Sequence, residues 1–179
     1  MTTNLLESLS PEQQYKTLYE IMYNLCKSNN WGDPFSYSHS RAIYMAIELN
    51  HTIAETYSGE DAYIIENDSK VKFEYKSTMA KNINGKYNGI SVKDTLVDQI
   101  NYIVSEKIGC YKTHYYSRFS GGKIEEIWAI PGEIVLEILL PKIAKQFVKM
   151  KSSVKQTADP RIGVSITSKE IKKYGIKVY

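Results

Sequence analysis

Cysteine is nearly absent from this chain: Cys26 and Cys110 are all that it offers to thiolate or redox chemistry. Two are too few for a disulfide framework or a zinc cluster, and they fit a reducing, intracellular setting. Histidine is almost as scarce, and His39, His51 and His114 stand too far apart for a zinc site of recognisable spacing. No apolar run approaches the ~20 residues needed to span a bilayer, so no membrane partner is expected. The opening MTTNLLESLSPEQQ has neither the basic start nor the apolar centre of a signal peptide. A glycine-rich phosphate loop is missing, since Gly121-Gly122 has no following Lys-Ser/Thr and reads as a hairpin turn. Ser117 has no accompanying Ser-His-Asp pattern. Internal repeats, low-complexity tracts and interdomain linkers are absent too.

What remains is 179 residues, 42% hydrophobic and 24% charged, enough for one well-buried domain over 1–179. The net charge of +3 hides a division. Residues 1–140 carry 13 Lys+Arg against 18 Asp+Glu, whereas 141–179 carry 10 against 2. An acidic body with a basic tail suggests a polyanionic partner, although a solvated lysine-rich surface gives the same count.

Ser10, Pro11 and Gln13 open a first helix as N-cap, N1 and N3, with Leu18, Ile21, Met22 and Leu25 as its apolar stripe. The turn-rich stretch 29–38 ends it. A second helix should start near Ser38 or Ser40 and run toward Ala54. The period then changes: 61–66 and 70–77 are rich in aromatic and β-branched residues and read as a hairpin turning at Asn67-Asp68-Ser69. A polar loop (81–89) precedes a third helix, from Ser91 with Asp94 at N3 to Gly109, burying Leu96, Ile100, Ile103 and Val104. Strands at 113–119 and 123–130 follow. The strand at 70–77, the helix and the strand at 113–119 form a βαβ unit with parallel outer strands. A helical region spans 132–150, kinked or divided at Pro141, and a short terminal helix is capped by Thr167 and Glu170. The fold class is α/β (α+β), with a mixed central sheet flanked by helices.

Chains that bind polyanions often hydrolyse them, and metal-assisted phosphodiester cleavage needs acidic oxygens converging on divalent ions. If the hairpin turns on a two-residue loop at Asn67-Asp68, paired positions sum to 135, and Asp61 then lies opposite Glu74. Cross-strand Cβ atoms in that relation are ~4.5–5.5 Å apart. Lys76 shares the face of Glu74, while Val71, Phe73 and Tyr75 point to the other. Asp/Glu-x-Lys also occurs at Asp68–Lys70 and Glu170–Lys172, but the first lies in the turn and the second begins a helix.

Gly59-Glu60-Asp61-Ala62 with Glu74-Tyr75-Lys76 resembles the PD-(D/E)XK nucleases, and the whole is similar to a small type II restriction endonuclease. The order of elements over about 38–130 resembles the family's αβββαβ core, followed by a basic helical and turn region at 141–179. Glu60 replaces the usual Pro, which leaves Glu60 and Asp61 both open as first ligand; the register favours Asp61. The resemblance implies that Asp61, Glu74 and the backbone carbonyl of Tyr75 hold Mg²⁺, one or two ions per site. It implies that Lys76 positions or helps deprotonate the attacking water, giving 5′-phosphate ends. Glu48 is a supplementary catalytic candidate from the preceding helix, which His51 and Glu55 would share. An exposed helix carboxylate is the plain alternative for Glu48, and a charge-paired surface hairpin is the plain alternative for the whole motif.

Double-stranded DNA is the expected partner. Lys81, Asn82, Asn84 and Lys86 follow the catalytic strand; Arg118 and Lys123, with His114, Tyr115 and Tyr116 nearby, lie on the next hairpin. The tail offers Lys151, Lys155, Arg161, Lys169, Lys172 and Lys173, with Asp159-Pro160 turning the chain at Arg161. A short chain with one site that must cut two strands suggests a homodimer, with the apolar stripes at 10–28 and 132–150 as candidate interfaces. The resemblance further implies a cytoplasmic, bacterial or similar setting and a cognate DNA methyltransferase protecting host DNA. Alternatives are a junction-resolving or repair nuclease of the same superfamily, a non-catalytic DNA-binding module, or a protein-binding domain.

Overall fold

The computed structural model describes residues 6–55, 59–152 and 161–179. Helix α1 (Pro11–Ser28) opens on the expected capping box, in which Ser10 and Gln13 bond each other's backbone N–H through their side chains. Helix α2 (His39–Glu48) ends earlier than expected, because Asn50 takes a left-handed φ of 55° and the chain then extends as β1 (Thr52–Ile53). His51 and Glu55 therefore do not share the α2 helix.

Strands β2 (Ala62–Glu66) and β3 (Ser69–Thr78) form the expected hairpin. Asn67 and Asp68 both have positive φ, 48° and 60°, as a two-residue type I′ turn requires. The register runs from Glu66 opposite Ser69 to Ala62 opposite Phe73, the pairing that the two-residue loop dictates. β3 then pairs in parallel with β5 (Thr113–Ser120), which turns at Gly121-Gly122 into antiparallel β6 (Lys123–Pro131). With β8 (Ile176–Lys177) the mixed sheet has six strands in the order β1-β2-β3-β5-β6-β8.

The connection from β3 to β5 departs from the expected polar loop. Residues Gly85–Ile90 form β4, which pairs antiparallel with β7 (Ile162–Ile166) in a second, two-stranded sheet. Gly85, Tyr87 and, past a register shift, Ile90 are its buried residues. Gly85 lies so close to the Tyr116 ring that a Cβ there would be 2.3 Å from it, so only glycine fits. Helix α3 (Leu96–Tyr102) starts four or five residues later than expected. Thr95, not Ser91, is its N-cap, and the buried Gln99 side chain bonds Lys93 N–H and Ser91 C=O, holding 91–94 outside the helix. Ile103–Lys107 continue as a π-turn. Of the expected apolar stripe only Ile103 is buried; Leu96, Ile100 and Val104 are exposed.

Helix α4 (Gly132–Ser152) runs undivided through Pro141. The tail is not only helix and turn, because it supplies β7 and β8 around α5 (Ser168–Tyr174), whose Thr167–Glu170 capping box forms as expected. Lys155 and Asp159-Pro160 lie outside the described residues.

Two buried clusters sandwich the main sheet. One joins Met45 and Ala46 of α2 to Phe73, Tyr75 and Ile127. The other joins Leu139 and Ile143 of α4 to Tyr116 and to Tyr87 and Ile166 of the second sheet. Strand alternation thus commits Phe73 and Tyr75 to the α2 side and frees Glu74 and Lys76 for the other face. No helix among the described residues is long and apolar enough to cross a membrane.

Candidate active site

Because β2 begins only at Ala62, opposite Phe73, the last residues of β3 run on beyond the β2 ladder. Asp61 stands at that step. Its N–H donates to the Phe73 carbonyl at 3.1 Å, and its Oδ2 accepts the Tyr75 N–H at 2.7 Å in place of a ladder partner. The N–H and C=O of one strand residue point the same way, so the Tyr75 carbonyl faces the same opening. Asp61, Glu74 and Lys76 line one cleft of ≈ 1200 Å³.

Lys76 Nζ donates to Glu74 Oε1 inside this cleft. Enclosure and the neighbouring Glu74 charge push the Asp61 acid up to about 7, against the pull of the Lys76 ammonium and the Tyr75 N–H. Burial opposes the charge on Lys76, but the Glu74 and Asp61 carboxylates outweigh it and hold the ammonium above its ordinary value. Glu60 points elsewhere. It is ion-paired with Lys70 and Lys72, and these charges overcome its burial and keep its carboxyl below the usual range.

Tyr87 and Tyr111 line the cleft, and buried His114 and Tyr116 lie behind Tyr87. Lys76 Nζ sits 5.0 Å from the centre of the Tyr87 ring on β4. The Tyr87 hydroxyl bonds His114 Nδ1 at 2.8 Å and the Tyr116 hydroxyl at 2.7 Å, and His114 Nε2 meets the Ile108 carbonyl at 3.0 Å. The carbonyl can only accept, so His114 donates from Nε2 and accepts at Nδ1, as a neutral ring. Burial agrees with that state, pushing His114 down to about 3. Burial likewise raises the Tyr87 and Tyr116 phenols, which stay protonated. Tyr111 ties the approach to Asp61 by donating to the Gly59 carbonyl at 3.0 Å.

On the other face of β3, His51 bonds the Tyr75 hydroxyl at 2.7 Å and stacks on Phe73, so it supports the strand from behind. Glu48 is exposed at the end of α2 and outside the cleft lining, and Glu55 is exposed as well. Asn84, Lys86 and Arg161 line the cleft; Lys81 and Asn82 are exposed outside its lining. Arg118 pairs with Glu126 at 3.2 Å and with Glu125 at 3.6 Å, and Lys123 is exposed at its hairpin tip. His114 and Tyr116 are fully buried, which removes them as direct DNA contacts. Lys169, Lys172 and Lys173 are exposed on α5 and do not line the cleft. Ser117 is buried, with its hydroxyl on Met45 Sδ.

Two cleft features had no forecast in the sequence. Tyr87 belongs to the strand read as a loop. Arg41, on the first turns of α2, lines the cleft with its Nε buried and without a hydrogen-bond partner.

Among the described residues no three His, Cys, Asp or Glu side chains group as a metal site. The available donors are two carboxylates and the Tyr75 carbonyl. They are hard oxygens, and Asp61 is raised first by burial and then by the Glu74 charge; such a set suits a Mg²⁺ ion that keeps several waters. No family model matches the chain, and no curated protein matches it in sequence.

Proposed function

We propose that the chain is a Mg²⁺-dependent endonuclease that hydrolyses phosphodiester bonds at a specific site in double-stranded DNA, a type II restriction enzyme of the PD-(D/E)XK kind. The observation that carries this reading is the meeting of Asp61, Glu74 and Lys76 in one open cleft, at the step where β3 outruns β2.

Asp61, Glu74 and the Tyr75 carbonyl would hold the ion. When bound, Mg²⁺ supplies charge that lowers the pKa of water at the site and offsets negative charge gathering on the phosphoryl oxygens. Lys76, kept cationic by the two carboxylates, orients the attacking water and stabilises the developing anion. Water attacks phosphorus in line and the P–O3′ bond breaks. The departing O3′ takes a proton, leaving a 3′-hydroxyl and a 5′-phosphate. The Tyr87 ring fixes the Lys76 head group from below, and Arg41, Lys86 and Arg161 offer cations to the flanking phosphates along the cleft.

Incubation with phage DNA and Mg²⁺, followed by sequencing of the fragment ends, tests the proposal. Discrete fragments with 5′-phosphate ends are expected, and Asp61→Ala and Lys76→Ala should abolish cleavage while sparing DNA binding. Full activity in both variants, or intact DNA with the wild type, overturns it. Preference for branched DNA would instead favour a junction-resolving enzyme.

A further inference from the structure

Of the two apolar stripes, the one at 132–150 is spent on the core, where Val135, Leu139, Ile143 and Phe147 are buried. Helix α1 buries only Cys26. Its Met22 and Leu25 instead form one wall of a groove of ≈ 530 Å³, a volume within the range of small-molecule sites. Trp31, Tyr44, Ile47 and Met79 line it as well, with Ile43 and Phe119 as buried lining. The walls are held in place by the fold itself. The Trp31 N–H donates to the Cys26 carbonyl at 2.9 Å, and the Trp31 carbonyl accepts from His39 Nε2, which fastens this residue to both α1 and α2. Tyr44 meets the Phe119 ring edge-on at 5.9 Å.

Among the described residues that line the groove, Arg41 alone is charged. Its Nε is buried and has no hydrogen-bond partner, and no carboxylate among the described residues pairs with its guanidinium. Arg118, by contrast, is paired with both Glu125 and Glu126. A buried N–H without an acceptor is rare in folded chains, and at Arg41 it marks where an acceptor from outside would be held. An apolar, preformed hollow with one convergent polar group is the usual build of a small-molecule site.

We propose that the groove binds a small molecule with an aromatic body and one anionic group, a carboxylate or sulfonate, its ring against Trp31 and Tyr44 and its charge on Arg41. Aromatic and methionine side chains favour a flat ring through edge and sulfur contacts, and the planar guanidinium takes two oxygens side by side. Tyr37, Arg41 and Met79 border both this groove and the cleft of Asp61 and Glu74. A ligand that engages Arg41 from the groove therefore withdraws its charge from the cleft, and acts as an inhibitor. The binding rests on the groove alone; the inhibition rests on the nuclease reading.

Fluorescence titration with anilinonaphthalene sulfonate, set against its uncharged relative phenylnaphthylamine, tests the site. The wild type should bind the sulfonate at one site per chain, at least ~10-fold more tightly than the amine. Arg41→Gln should erase that preference by weakening the sulfonate alone. Leu25→Glu, which sets an acid in the groove wall, should also weaken the sulfonate. Leu18→Glu, on exposed α1 surface outside the lining, should change neither probe, with far-UV circular dichroism unchanged in all three variants. Sulfonate affinity that Arg41→Gln leaves intact, or that Leu18→Glu lowers as much as Leu25→Glu, overturns the proposal. So does affinity that falls as protein concentration rises, since a second copy would then fill the groove. Saturating sulfonate should slow DNA cleavage by the wild type, and unchanged cleavage overturns the inhibitory role. A protein that binds the sulfonate through Arg41 but cuts no DNA would instead sink the nuclease reading alone.

Discussion

Asp61 accepts the backbone N–H of Tyr75 through its carboxylate at 2.7 Å, so the first acid of the site replaces the missing ladder partner of the strand that carries the second. The neighbouring Glu60 is turned away by Lys70 and Lys72. Glu60→Ala should therefore retain Mg²⁺-dependent cleavage within a few-fold, and Asp61→Asn should lose it, although both remove one negative charge. Cleavage of linear duplex under single-turnover conditions separates the two. Loss in Glu60→Ala with survival in Asp61→Asn would reverse the assignment of the first ligand.

Tyr87 joins the second sheet to the cleft of Asp61, Glu74 and Lys76. Tyr87→Phe keeps the ring beneath Lys76 but strips hydrogen bonds from buried His114 and Tyr116. It should cost about 1–3 kcal/mol of stability, the usual penalty for orphaned buried polar groups. Tyr87→Leu loses the ring as well. If the ring positions Lys76, cleavage in the Leu variant falls well below that in the Phe variant at equal DNA affinity. Equal activities would mean that the ring only fills space.

His114 predicts an acid dependence of stability. Its folded value lies near 3, against 6.5 when unperturbed, so between these pH values the unfolded chain binds more protons. The stabilisation is complete above 6.5 and is lost as pH falls toward 3, by up to ~1.4 kcal/mol per unit. Urea titrations of the metal-free protein between pH 7.5 and 4.5 should show the wild type losing roughly 2 kcal/mol more than His114→Gln. Parallel profiles would mean that His114 titrates normally in the folded state.

The hairpin and its register were legible because the two-residue turn fixes every later pairing from Glu66 with Ser69 to Ala62 with Phe73; the expected pairing of Asp61 with Glu74 falls just past the end of that ladder, where the Asp61 carboxylate takes the Tyr75 N–H instead. Capping residues likewise marked α1 and α5 correctly. The second sheet was not legible. Ile162–Ile166 alternates buried and exposed residues without a break, but its partner carries Gly85, Asn88 and Gly89, whose turn character hid the strand. The start of α3 was missed because Ser91 and Thr95 both make plausible caps, and only the buried Gln99 favours Thr95. The link of Tyr87, His114 and Tyr116 joins residues 27 and 29 positions apart, and no periodicity carries it. The α1 stripe was visible as apolar, but what covers an apolar stripe depends on the tertiary arrangement.

The basic tail divides in two once the fold is known. Arg161 lines the cleft with Lys86 and Arg41, whereas Lys169, Lys172 and Lys173 lie on α5, outside it. Removing one phosphate-binding cation should lower the slope of log affinity against log salt by about one. Lys86→Ala and Arg161→Ala should each do so, measured by fluorescence anisotropy in Ca²⁺ on a short duplex. Lys172→Ala with Lys173→Ala should leave the slope unchanged, despite removing twice the charge of either single variant. If the α5 lysines set the slope instead, DNA crosses the far edge of the main sheet and the cleft of Asp61 and Glu74 is not where the duplex is held.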